Sequence, residues 1–267
     1  MSTVVITGAE QGLGLELAKL YAHDGWDVVA GCLNPAKPDI VALAQADSKV
    51  KVVPLDVTRD GSVAAFTDVL RGKPVHILIN NAGLHLRKWS PPDNVSFDDW
   101  EATLRVNTLG PARVSFALHP SMVMAGESKL VTISSDWGSV SNHPGTAYDY
   151  CSSKAAVNSV MRGIARNWAE DGITVLMIHP GWMRTSMGGA DAPNLPRDSA
   201  VLVQAVIVEV RADKTAELGI NWAVDGSRDN FAIGGFIQPI AGGSIVDIIK
   251  GVDNPSSISP SAVLGTT

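Results

Sequence analysis

Cysteine is scarce in this chain. Cys32 and Cys151 are its two thiols in 267 residues, far apart and without ligand-like spacing. Neither a disulfide framework nor a cysteine-ligated metal is expected, and the pair reads as free thiols in a reducing compartment. Cationic excess is missing as well. Against 27 Asp and Glu stand 21 Lys and Arg, scattered along the chain, for a formal net charge of −6. That balance argues against nucleic acid or an anionic membrane as the main partner. No apolar run approaches the length of a membrane span, and the start has no basic stretch ahead of an apolar one, so a cytoplasmic location is expected. Internal repeats and low-complexity linkers are absent too.

What is present is alternation. Short β-branched runs at Thr3–Thr7, Asp27–Cys32, Lys51–Leu55, Val75–Ile79, Lys129–Ile133 and Ile173–Ile178 read as strands. Amphipathic stretches between them read as helices: Leu13–Ala22, a short one after Pro38, Ser62–Leu70, Phe97–Val106, Ala112–Met124, and one holding Tyr150 that runs to about Glu170. A last helix is expected near Ser199–Val210. Strands that are apolar throughout are buried on both faces, and strands alternating with helices make successive βαβ units. The fold expected is α/β, a doubly wound parallel sheet of Rossmann type in a single domain. The character changes near Phe231, where glycines recur and the end turns rich in Ser and Pro. Residues 1–230 therefore read as the main α/β domain. Residues 231–267 read as an extension that packs on it, packs on a neighbouring subunit, or is partly disordered.

Two stretches carry chemistry on their own terms. Gly8, Gly12 and Gly14 sit between a strand and a helix, where glycine lets the backbone turn sharply and lets a pyrophosphate approach the helix N-terminus. A glycine triplet alone is equally a plain turn; the flanking strand and helix favour a cofactor. Further on, Tyr150 and Lys154 are four apart and share one helix face. A phenol has a pKa of about 10, and an ammonium beside it favours the phenolate, so the pair is expected to bring Tyr150 toward the working range. Ser134 and Ser135 precede it, and as neighbours they leave open which serine would act.

Taken together, these motifs and several others resemble the short-chain dehydrogenase/reductase family over residues 1 to about 230. The glycines match its cofactor turn. Asn80-Asn81-Ala82-Gly83 matches its NNAG segment on the adenine-ribose side, and Asp56 its adenine-contacting Asp. Asn107 matches the helix Asn of its catalytic tetrad, and Pro180-Gly181-Trp182-Met183-Arg184-Thr185 its PG segment, whose Thr meets the nicotinamide amide. The region from Thr185 to Pro193, then Trp222–Gly226, is similar, more loosely, to C-factor and sniffer-like carbonyl reductases. The resemblance implies a catalytic set of Asn107, Ser135, Tyr150 and Lys154. Ser135 would polarise the substrate oxygen, Lys154 would lower the Tyr150 pKa and bind the nicotinamide ribose, and Asn107 would hold a water leading from Lys154 to solvent. It implies cofactor contacts from Gly8, Gln11, Gly12, Leu13, Gly14, Leu33, Asp56, Val57, Asn81, Ala82, Gly83, Pro180, Gly181, Met183 and Thr185, besides Tyr150 and Lys154, and no metal. One departure is the spacing from Ser135, slightly long to Tyr150. Tyr148 stands two residues closer but has Ser152, not a lysine, four residues on, so the extra length is assigned to the loop from Trp137 to Thr146. His143 in that loop reads as solvated or substrate-lining. Leu84–Val95, with Trp89, Pro91 and Pro92, is expected to border the substrate cleft.

The second strand ends in Cys32, Leu33 and Asn34, with neither an acid for a ribose 2′-hydroxyl nor a base for a 2′-phosphate. Gln11 precedes the second glycine and acidic Glu10 precedes Gln11, which leans the reading to NAD over NADP, although Lys37 and Arg59 lie within reach. The function expected is NAD(P)-dependent interconversion of an alcohol with a ketone or aldehyde, acting on a small molecule in a homodimer or homotetramer. A cofactor-sensing protein without chemistry, and an epimerase or dehydratase of the same fold, are the alternatives.

Overall fold

The computed structural model describes residues 2–86 and 92–209, and the backbone of two further strands, Gly219–Trp222 and Gly235–Gln238. Two compact units are present, Met1–Lys214 and Thr215–Thr267, so the division falls ahead of the change in sequence character near Phe231.

The first unit is built on six parallel strands: β1 (Thr3–Thr7), β2 (Asp27–Cys32), β3 (Val50–Pro54), β4 (Ile77–Asn80), β5 (Ser128–Ile133) and β6 (Ile173–Ile178). Their order is β3-β2-β1-β4-β5-β6. A row of apolar side chains, Val29, Val5, Leu78, Leu130 and Val175, runs in register across five of them. All five are buried in one core cluster. Helices α3 (Asp60–Asp68), α5 (Gly110–Met124) and α6 (Tyr148–Asn167) supply its other layer through Phe66, Val114, Leu118, Met122, Val157 and Met161. Val4 and Ile6, alternating with Val5, are equally inaccessible to solvent. They belong to the opposite face, where α1 (Gly12–His23), α2 (Pro38–Ala46) and α7 (Pro196–Glu209) form the other layer. Strand β3 is an edge, and its exposed Lys51 and Pro54 suit that place, because a charge and a residue without an N–H discourage further pairing.

Two expected boundaries shift, and the helix holding Tyr150 acquires a defined start. Helix α4 (Phe97–Leu104) gives way to a π-helical turn over Arg105–Leu109, which then runs directly into α5. The two helices expected here are one continuous rod with a bulge at Asn107. Helix α6 begins at Tyr148, behind Ala147 in the left-handed region (φ 50°), the one non-glycine with positive φ among the described residues. Strand β4 starts at Ile77 rather than Val75.

In the second unit, Gly219–Trp222 (β7) pairs antiparallel with Gly235–Gln238 (β8). Of the extension after residue 230, these four β8 residues lie within the described part; the rest, with the expectation about its packing, lies outside it. Trp89 and Pro91 also fall outside. No helix among the described residues is long and apolar enough to cross a membrane.

The sheet order reverses between β1 and β4, whose first neighbours in sequence lie on opposite sides. In open α/β sheets that crevice, beyond the carboxyl ends of the strands, is where ligands bind. Gly8 and Asn81 stand at this point.

Candidate active site

Beyond β1 the backbone turns back on itself through Gly8 (φ 66°) and Gly12 (φ 56°). A Cβ on Gly14 would lie 2.3 Å from the Gly8 carbonyl oxygen and 2.5 Å from the Asn81 amide nitrogen. No side chain can be accommodated there without moving backbone. Asn81 locks the turn from β4: its Nδ2 donates to the carbonyls of Thr7 (2.9 Å) and Gly8 (3.1 Å). In return the Thr7 hydroxyl accepts from the amides of Asn81 and Ala82, both at 3.0 Å. Asn81, expected on the adenine-ribose side, spends its side-chain donor on this clasp.

Helix α1 starts immediately after. Its N-cap, Gln11, makes no side-chain cap, and no acidic residue occupies its first turn. The open amides and the dipole of a twelve-residue helix suit an anion. The opposite wall is Thr185: its Cγ2 would meet a Cβ on Gly12 at 3.3 Å. Gly181 takes positive φ (82°), and Thr185 is itself held by accepting from the Gly188 amide through Oγ1 (3.0 Å). Pro180 and Met183 stand in the same segment, Met183 bridged to Asn194. Leu13 is buried, Leu33 is 69% exposed past the end of β2, and Val57 is buried against α5 beneath Gly110. The Asp56 carboxylate accepts from the Thr58 hydroxyl (2.6 Å) and amide (2.9 Å). Those bonds, the hydroxyl's above all, hold its pKa below the ordinary carboxylate value. A glycine cradle closed to any Cβ, an uncapped helix start and a facing Thr fit a dinucleotide diphosphate.

On the other side of β4 the structure brings Asn107, Ser135, Tyr150 and Lys154 together. Lys154 is buried and donates from Nζ to the Ile133 carbonyl (2.8 Å), with Nζ 5.6 Å from the centre of the Tyr150 ring. Tyr148 does not share this place: it stacks near Trp100 and His143. The two serines also separate. Ser134 donates to Asn158 Oδ1 on α6 (2.6 Å), whereas the Ser135 hydroxyl is bonded to the Tyr150 phenol. His143 is exposed, and its Nδ1 accepts from the Gly145 amide (3.0 Å).

The electrostatics run against the expectation for Tyr150. Its pKa is pushed up to about 12, first by burial; the Ser135 hydrogen bond counteracts this, and the Asp136 carboxylate adds to it. Lys154 is itself lowered to about 8 by burial. An ammonium some 5.6 Å from the ring centre does not overcome the phenol's desolvation, so the resting pair is phenol beside ammonium.

The π-helical turn puts the Asn107 side chain across the gap to the β4 loop. Its Oδ1 accepts from the Leu84 amide (2.8 Å), and its Nδ2 donates to the Leu84 carbonyl (2.8 Å) and to Ser153 Oγ (3.0 Å). The Asn107 side chain is therefore committed to protein partners. Such bulges place residues that a regular helix would turn away.

Sequence reasoning did not single out His85, Asp136 or His179. His85, two residues after Gly83, stacks on Tyr150 with ring centres 4.4 Å apart, and Trp137 meets both rings edge-on at 6.2 Å. Asp136, next to Ser135, accepts from its hydroxyl at 3.0 Å. His179 Nδ1 approaches the same carboxylate oxygen at 3.8 Å. Burial lowers the His179 pKa, against an opposing pull from Asp136. Adjacency to Ser135 and to the Asn81–Gly83 motif was the available signal for Asp136 and His85. Among the described residues no group of three or more His, Cys, Asp or Glu is placed to hold a metal.

Residues 2–195 match the model of the short chain dehydrogenases. C-signal of Myxococcus xanthus is 38% identical over 136 residues, 51% of this chain and 80% of the relative. Among solved structures, the NADPH-bound carbonyl reductase from chicken fatty liver is 28% identical with a TM-score of 0.74, over 81% of this chain and 95% of that one. Carbonyl reductase Sniffer of D. melanogaster is 25% identical with a TM-score of 0.74, over 81% and 95%.

Proposed function

The chain belongs to the short-chain dehydrogenase family of oxidoreductases, and on that premise we propose that it interconverts an alcohol with a ketone or aldehyde, using a nicotinamide dinucleotide and Tyr150 as general acid and base. The observation that carries this reading is the convergence of Ser135, Tyr150 and Lys154 beside a cradle that excludes side chains. The carbonyl reductase similarity and its NADPH support the same substrate and cofactor chemistry. When bound, the dinucleotide supplies or accepts the hydride. The chain does the rest. The open amides of α1 hold the diphosphate. Ser135, its one proton turned from Asp136 to the substrate, and Tyr150 orient the substrate oxygen. In reduction Tyr150 gives its proton to that oxygen, and the Lys154 ammonium stabilises the phenolate left behind; in oxidation the proton returns.

For the cofactor, NAD is the finer reading, carried by Glu10. This carboxylate is buried, with Oε2 lacking a hydrogen-bond partner, and its charge is felt at Cys32, the end of β2. A buried oxygen that can only accept suits a ribose 2′-hydroxyl and repels a 2′-phosphate. The competing cation, Lys37, already donates to Gln11 Oε1. The test is consumption of NADH and of NADPH across a panel of aldehydes and ketones, with equimolar alcohol formed. Turnover with a higher kcat/KM for NADH supports both statements. A clear NADPH preference overturns the finer one, and no reduction of any carbonyl overturns the first.

A further inference from the structure

Asp136 is a carboxylate that the reaction assigned to this site does not need. It opens the short 3-10 turn Asp136–Gly138, and turn-capping would be a sufficient reason for it if the turn lacked another acceptor. It does not: the Trp137 amide already finds the Ser135 hydroxyl oxygen at 3.2 Å, besides Asp136 Oδ1 at 2.9 Å. The same Oδ1 accepts the Ser135 proton at 3.0 Å. The carboxylate is thus one hydrogen bond from the hydroxyl that meets the substrate oxygen, and its side chain is 41% exposed. Its nearest ion-pair partner among the described residues is His179 at 3.8 Å. Burial and the Lys154 ammonium both favour the neutral imidazole there, so that contact does not neutralise the carboxylate, and Lys154 is the cation of this end of the site.

A substrate oxygen bonded to Ser135 Oγ at about 3 Å stands within about 6 Å of the Asp136 carboxylate. Substituents one or two bonds from the reacting carbon are at similar range, inside a Debye length and beside a wall of rings, so their charge is felt through partial solvent screening. We infer that Asp136 is a specificity-determining residue that selects substrates bearing a cationic group near the carbonyl or carbinol carbon and rejects carboxylates. This deepens the proposed function and rests on it for the substrate oxygen's position. Keto acids and hydroxy acids are then the excluded class; amino and quaternary-ammonium ketones and alcohols are the favoured one.

The test uses three methyl ketones that differ in the group one methylene from the carbonyl: trimethylammonium, tert-butyl or carboxylate. Their binding to the full chain with oxidised dinucleotide present, where reduction cannot occur, is read by saturation-transfer NMR for the wild type and for Asp136→Asn. Asparagine keeps the Oδ1 acceptor for Ser135 and Trp137, and thermal melting checks that the variant folds; Asp136→Ser repeats the measurement with a different side chain. The wild type is expected to prefer the cation over the anion by about tenfold or more, with that ratio falling toward unity in both variants. The tert-butyl ketone should bind all three proteins alike. The same cation-to-anion ratio in wild type and variants overturns the inference. Turnover of the same ketones with reduced dinucleotide is a separate readout. A ratio that collapses while no ketone is reduced supports the charge selection and sinks the oxidoreductase reading; reduction with an unchanged ratio does the opposite.

Discussion

The two halves of the site are held by different physics. On the β1 side the glycine turn is fixed by backbone: positive φ at Gly8 and Gly12, a missing Cβ at Gly14, and the clasp of Thr7 and Asn81. On the β5 side, Ser135 follows β5 and Tyr150 and Lys154 share α6, so the set depends on side-chain contacts between these elements, with two ionisable groups held out of water. The first half tolerates almost no change of shape, and its clasp uses no ionisable group. The second tolerates changes of shape better and depends on charge. Binding and chemistry are therefore separable by mutation.

The harshest way to break this contrast is Gly14→Ala. Its methyl would press on the Gly8 carbonyl, and relief requires the turn to open. A loss of about 3 kcal/mol of stability, or more, is expected, together with loss of dinucleotide binding at every pH. Urea unfolding and a cofactor titration measure both. If the variant binds dinucleotide normally, the cradle is not the rigid half.

Lys154→Met probes the charged half. A lysine whose pKa is lowered from 10.5 to about 8 in the folded state releases its proton before the unfolded chain does. Between those pH values the unfolded state binds more protons, so this residue makes stability rise with pH from about 8 toward 10.5, by about 3 kcal/mol in all. Tyr150, Cys32 and Cys151, all raised to between about 11 and about 12, work the other way above their unfolded values near 9 to 10. The test is therefore the difference between wild type and variant. Over that window the wild type should gain on Lys154→Met; parallel pH profiles would show the ammonium is not held at a cost. Dinucleotide diphosphate binding should not follow this pH dependence.

The mildest probe is Glu10→Gln, which keeps the shape of the cradle and removes one charge. The preference for NADH over NADPH in kcat/KM should fall about tenfold, with melting nearly unchanged. A preference that stays put removes Glu10 from cofactor choice.

The sequence-based reading was strongest where the local signal and the tertiary need coincide. Strands β1, β2 and β6 fall where the β-branched runs place them, because strands buried on both faces leave no ambiguity of period. The glycine turn was legible for the same reason: a positive φ or a closed space admits little else. The side-chain half was legible as a set of residues but not as an environment. Lysine four residues after tyrosine predicts proximity; it does not report that burial moves both pKa values against the simple expectation. Asn107 was found, but its π-helical turn, with the amide spent on Leu84 and Ser153, depends on contacts made 23 and 46 residues away. Asp136 and His85 carry no periodic or spaced signature, and their place beside Tyr150 appears once β4, β5 and α6 are assembled.

The most direct test of the separation is one experiment on Tyr150→Phe: dinucleotide affinity by titration and carbonyl reduction by steady-state turnover, on the same preparation. Removing the hydroxyl leaves the ring against His85 and Trp137 and leaves the glycine cradle untouched. The account predicts unchanged dinucleotide affinity and turnover reduced by about a hundredfold or more. Turnover within a few-fold of wild type, or affinity lost along with it, would contradict the account.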